Sequence, residues 1–145
     1  MKLTLDQQRA LAAFLLSRFK AVVRSKAHAE MDVIAAVFGV ASLFGGNVPT
    51  SADFLHRYWT TLGPVIYAPA EDAGDYAAHL RVLLHELGHV VAFWRDPLGF
   101  LRRYLTSTGR AELEAEAERG ACEGWWVLTG TIPEDLSAVD ITRHG

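Results

Sequence analysis

The sequence predicts a mostly helical α+β fold, a single domain with one small antiparallel sheet. Three observations predict it. Apolar residues recur at three- and four-residue spacing over long windows, the period of helices buried on one side. One short window, residues 58–67, turns to β-branched and aromatic residues, the composition of strands. The length of 145 residues, half of them hydrophobic, suits one core rather than two.

Thr4 with Gln7 three residues on makes a capping box, opening a helix expected to run through about Arg24. Leu11, Phe14, Leu15 and Val22 give that helix its apolar stripe, with Arg9, Arg18 and Lys20 off it. Ser25 is placed to cap a second helix carrying Met31, Ile34, Val37 and Phe38, ended by Gly45-Gly46. Asn47-Val48-Pro49 reads as a loop, and Thr50 with Asp53 starts a short helix to about Arg57. Tyr58-Trp59-Thr60-Thr61 and Val65-Ile66-Tyr67 read as two strands around the turn Leu62-Gly63-Pro64. Residues 69–74 read as a loop. Asp75 opens a helix to about Arg95, stopped at Asp96-Pro97 because proline disfavours helix in the residue before it. A short helical piece over 98–105 and a turn at Thr106-Ser107-Thr108-Gly109 lead into a long helix, 110–128, ended by Gly130 and Pro133. The rest reads as a short helical tail. Residues 1–145 are thus expected to form one domain, with 1–47 its helical N-terminal part and 58–130 its chemical core.

Composition removes several functional classes. The single cysteine, Cys122, forms no internal disulfide, excludes a Cys-rich zinc site, and reads as an inert buried thiol. A net charge of −3 argues against nucleic acid as a partner. The longest apolar run, 33–44, is well short of the roughly 20 residues that span a bilayer. The start, Met1-Lys2-Leu3-Thr4-Leu5-Asp6, turns polar too early for a signal peptide, so a soluble, cytoplasmic chain with no membrane span is expected.

The chemistry concentrates in His85-Glu86-Leu87-Gly88-His89. On a helix, positions i and i+4 lie on one face a turn apart, so His85 and His89 can share one metal ion. Glu86 then stands beside the ion, as a general base for water attacking a carbonyl. With 6 histidines in the chain, the pattern is expected by chance roughly 0.015 times. A catalytic zinc wants three protein ligands and one open position. The next histidine is His144, but a helix dense in glutamate follows sooner: Glu112, Glu114, Glu116 and Glu118. Two acids four apart share a face there, one able to bind metal and the other to take a hydrogen bond from a ligand imidazole. Glu112 and Glu116 read as a solvated face.

This segment resembles the small gluzincin metallopeptidases of bacteria and phages. In them a His-Glu-x-x-His helix is completed by a downstream helix of pattern Glu-x-Glu-Ala-Asp/Asn-x-x-Ala. Here Glu114-Ala115-Glu116-Ala117-Glu118-Arg119-Gly120-Ala121 matches the first Glu, the Glu-Ala pair and the final Ala. Starting at Glu112 instead puts Arg119 where that Ala belongs. The resemblance covers residues 60–129. It implies a zincin-like fold, one zinc ion per chain held by His85, His89 and Glu114, and Glu86 as general base. Glu118, standing where the family has Asp or Asn, would be the outer contact to a ligand histidine. The implied activity is metallopeptidase cleavage of a peptide or protein substrate.

Smaller expectations accompany this. Tyr104, with Arg103 and Arg110, lies between the two ligand helices and is a candidate transition-state stabiliser against a structural role for each. Ala117, Gly120, Ala121 and Gly124 form a small-residue strip for close helix packing. The strand 65–67 is expected to pair with an extended substrate by edge addition. The rival reading is a catalytically idle zincin-like module for binding or assembly, for example in a phage or secretion particle, its partner unknown. A further rival is a regulator in which the metal site only stabilises the fold.

Overall fold

A computed structural model describes residues 2–26 and 59–133. All but the first two residues of the expected helix over 25–46, the expected helix over 50–57, Tyr58 of the first expected strand, and the expected tail with His144 lie outside the described residues.

Helix α1, Leu5–Arg18, opens on the expected box. Thr4 Oγ1 accepts from the Gln7 amide at 3.2 Å, and Gln7 Oε1 accepts from the Thr4 amide at 2.9 Å. The helix ends six residues earlier than expected. The Ala21 amide donates to the Leu16 carbonyl and the Lys20 amide to Ser17, the paired bonds of a Schellman stop. Lys20 takes the left-handed conformation, φ 52°, that glycine usually supplies there. The chain reverses into strand β1, Val22–Ser25, so Val22 belongs to a strand and Ser25 ends it rather than capping a helix.

Strands β2, Thr60–Leu62, and β3, Val65–Ala68, form the expected hairpin. Gly63 turns it at φ 60°, where a Cβ would be strained. β1 adds to β3 in parallel, Val22 opposite Val65, giving the order β1-β3-β2. The sheet is therefore mixed, not antiparallel. β3 is its central strand, so the expected edge pairing along 65–67 is overturned: both its sides are already taken.

Past the sheet, Ala70–Ala73 forms a short helix, α2, where a loop was expected. The segment 75–95 divides into a 3-10 turn, Tyr76–His79, and helix α3, Leu80–Arg95. Helix α4, Pro97–Tyr104, has proline in its first turn, where a missing N–H costs nothing, and Asp96 caps it through the Gly99 amide. Thr106, expected in a turn, caps helix α5, Ser107–Thr129, which Gly130 closes in the left-handed conformation.

Helix α3 is the centre of the molecule, packed on α5, α4, α1 and the sheet. Its Leu80, Leu83 and Val90 are fully buried with Ile66 of β3, each worth about 1.5–3 kcal/mol of transfer free energy. α5 approaches closely because α3 offers Gly88: a Cβ there would lie 2.8 Å from the Ala117 Cα. Of the small-residue strip, Ala117 and Ala121 are buried and Gly124 faces Leu84, whereas Gly120 faces open space. Cys122 is half-buried rather than buried. Among the described residues, no helix is long and apolar enough to cross a membrane.

Candidate metal centre

The site lies where α3 and α5 run against each other. Residues 81, 85 and 89 follow one another at single-turn spacing on α3, as do 114 and 118 on α5. The two rows interlock. His85 Nε2 lies 2.9 Å from Glu114 Oε2, and His89 Nε2 lies 3.1 Å from Glu114 Oε1, so one carboxylate spans both imidazoles. The rings meet edge to face, centroids 5.1 Å apart. His85 Nδ1, on the far side of its ring, lies 2.8 Å from Glu118 Oε2. The other Glu118 oxygen accepts from the guanidinium of Arg81.

These contacts govern protonation. Burial would push the His85 imidazolium down, but hydrogen bonds to Glu114 and Glu118 and the charges of Glu86 and Glu114 outweigh it, raising its pKa to about 9. Burial would raise the Glu114 carboxyl, yet the hydrogen bonds and charges of the two histidines hold it well below the usual carboxylate range. Glu118 is lowered likewise, burial being outweighed by Arg81 and His85.

His85, His89 and Glu114 form a group that could hold a metal ion, their ligating atoms all within 4.8 Å of one another. A tetrahedral ion with bonds of about 2.0–2.1 Å sets its ligand atoms roughly 3.3 Å apart. The separations of 2.9 and 3.1 Å, each to a different oxygen of Glu114, are of that order, and the side chains offer two nitrogens and a carboxylate. The side chains of His85 and His89 are 17% and 10% exposed and that of Glu114 is 61%, so the group opens to solvent on the Glu114 side.

Glu86 is buried on α3 and turned toward the sheet, where Thr61 Oγ1 of β2 donates to its Oε2 at 2.6 Å. Lys26, 3% exposed just past β1, donates from Nζ to Thr60 Oγ1 at 3.0 Å. Burial lowers the Lys26 ammonium to about 8, partly offset by the charge of Glu86. Tyr104 stacks on Phe100, centroids 6.2 Å apart. Burial, with Glu114 and Glu86 adding and Arg110 opposing, pushes its hydroxyl to about 12.

The other candidates are engaged elsewhere. Arg103 pairs with Glu116 at 2.6 Å and Glu112 at 3.4 Å, so those acids serve an ion-paired outer face of α5. Arg110 donates to the Tyr104 carbonyl at 2.9 Å and ties α4 to α5. Sequence reasoning passed over Arg81, Thr61 and Lys26. Arg81 carries a readable signal, one turn before His85 on the same face. Thr61 carries none, because its partner is 25 residues away.

Compared with models of protein families, with characterised proteins and with solved structures, the chain finds no match in any of the three.

Proposed function

We propose that the chain is a zinc-dependent hydrolase of the peptidase type, with a zincin-like arrangement of one zinc ion per chain. The observation that supports this best is the convergence of His85, His89 and Glu114, with the charge of the neighbouring Glu86 acting on His85. Two imidazoles and a carboxylate, with a fourth position left open, suit zinc among the divalent ions. Zinc, when bound there, supplies a Lewis acid that lowers the pKa of water toward about 7.

His85, His89 and Glu114 would hold the ion, and Glu118 would fix the ring of His85 from behind. Glu86 is the proton carrier. Its carboxylate, held by Thr61, accepts a proton from the attacking water and passes it to the leaving amine. Tyr104, whose hydroxyl feels the charges of Glu114 and Glu86, is the candidate donor to a developing oxyanion. An extended peptide would add along β2, the outer strand that carries Thr61, rather than along β3.

Glu86→Gln tests the reading. The swap keeps shape and hydrogen bonding, removes the base and leaves the three ligands alone. Zinc content should be unchanged, while cleavage of a mixed peptide library, read by mass spectrometry, should fall by roughly 10²–10⁴-fold. Equal cleavage by both proteins would refute the mechanism. Zinc binding with no cleavage by either would favour a catalytically idle module.

A further inference from the structure

Glu118 uses its two oxygens on two different partners. Oε2 faces Nδ1 of His85 at 2.8 Å, and Oε1 accepts from Arg81. Arg81, Glu118 and His85 have side chains 18%, 16% and 17% exposed, so the chain of contacts is largely sheltered from water. Arg81 and His85 are separated by one turn of α3, and Glu118 reaches between them from α5. Arg81, Glu118, His85, Glu114 and His89 thus form one continuous ladder along the helix interface, in which carboxylates alternate with a guanidinium and two imidazoles.

We propose that Arg81 is a positioning residue of the metal centre. It holds Glu118 in the arrangement that turns Nε2 of His85 toward the ion. This rests on the metal-site reading above and adds to it a residue that is not itself one of the three proposed ligands.

Three arguments carry it. A carboxylate gripped at one oxygen can rotate about its final torsion; gripped at both, it cannot. An ionised carboxylate only accepts, so Nδ1 of His85 must be the donor, and in the neutral ring Nε2 is left with the lone pair a metal needs. Packing alone gives little reason for a guanidinium here. The helices already meet through Gly88, Ala117, Leu84 and Gly124, and a sheltered ion pair often contributes no more than apolar residues of the same size.

The test uses the full chain and zinc alone, competed against a chromophoric chelator. Arg81→Met keeps the length and apolar stem but not the charge or donors. Zinc affinity should fall about tenfold, the lower end for loss of an outer-shell partner, and Arg81→Lys should recover part of it. In a Glu118→Gln background, where the acceptor charge is gone, Arg81→Met should change zinc affinity little. Nitrogen NMR of the zinc form should show His85 protonated at Nδ1 in wild type and a mixture of ring arrangements in Arg81→Met. Thermal melts with chelator present identify any variant that has merely lost its fold; Arg81→Lys then carries the test, by binding zinc less tightly than wild type. Zinc affinity equal to wild type in folded Arg81→Met, or an equal loss with and without Glu118, would overturn the proposal while leaving the metal site standing. If wild type takes up no zinc, the metal-site reading fails and the proposal with it.

Discussion

Thr61 Oγ1 and Glu86 Oε2 lie 2.6 Å apart, joining β2, an outer strand of the sheet, to the middle of the helix that carries His85 and His89. Both residues are buried. The hydroxyl restrains the buried carboxylate by donating to one of its oxygens.

Thr61→Val, nearly isosteric but without the donor, is therefore expected to cost activity without costing zinc. A hydrogen bond to a charged group contributes about 1.5–3 kcal/mol, so turnover should fall roughly tenfold or more. Thr61→Ser should retain most of it. Metal content by elemental analysis beside peptide turnover checks this; zinc loss in Thr61→Val would mean the contact supports the fold rather than the base.

Gly88 makes a prediction about the helix interface. A methyl there meets the Ala117 backbone at 2.8 Å, and backbone cannot swing aside. Gly88→Ala should separate α3 from α5, costing about 1–3 kcal/mol of stability and weakening zinc binding, since the ligands ride on both helices. Gly120→Ala, facing open space on α5, should instead stabilise by up to about 1 kcal/mol. Urea titrations of both variants decide it. Similar midpoints for the two would show that the close approach at Gly88 is not what sets the helix spacing.

These contrasts mark what the sequence makes legible. The pair His85 and His89, the flanking Glu86 and the helix that bears them are local patterns, readable from spacing along one segment. Thr4 and Gln7 announce the first helix because the capping box closes within four residues. The end of that helix was not readable, because Lys20 does what a glycine normally signals. β1 was missed for a related reason. Val22-Val23 is a β-branched pair, but its partners Val65 and Ile66 are more than forty residues away, and only that pairing makes it a strand. Once β1 is in place, β3 ceases to be an edge. A single long-range pairing thus decided both the sheet type and which strands form its edges.

Protonation of the ligand ladder gives a pH dependence in protein kept in chelator. His85 is raised from 6.5 to about 9, so its contribution is full below pH 6.5 and is lost as pH rises through 9. Glu114 and Glu118 are lowered, so theirs is full above pH 4.5 and lost only in stronger acid. Lys26, lowered to about 8, acts in the opposite sense from pH 8 to 10.5. The cleanest window is thus pH 6.5–8, where melting temperature in chelator should fall. With zinc replacing the proton on Nε2, the fall should largely vanish. Melting curves at several pH values, with and without zinc, test it; a flat response in chelator would rule out His85 as the titrating group.

The register of α5 gives the last prediction. Glu112 and Glu114 are two residues apart and both largely exposed, at 59% and 61% of their side chains, so exposure does not distinguish them. Direction does: two positions on a helix differ by about 200°, nearly opposite faces. Glu114 lies against both imidazoles, and Glu112 lies against Arg103. Glu114→Ala should therefore remove a ligand and most zinc binding, whereas Glu112→Ala should break only an exposed ion pair, with under about 1 kcal/mol at stake. Glu114→Gln, which keeps an oxygen but not the charge, should fall between the Ala variant and wild type. Elemental analysis after dialysis against a fixed free-zinc buffer ranks them. Equal loss from Glu112→Ala and Glu114→Ala would place the third ligand elsewhere. Full retention in Glu114→Ala would mean that Glu114 is not a ligand.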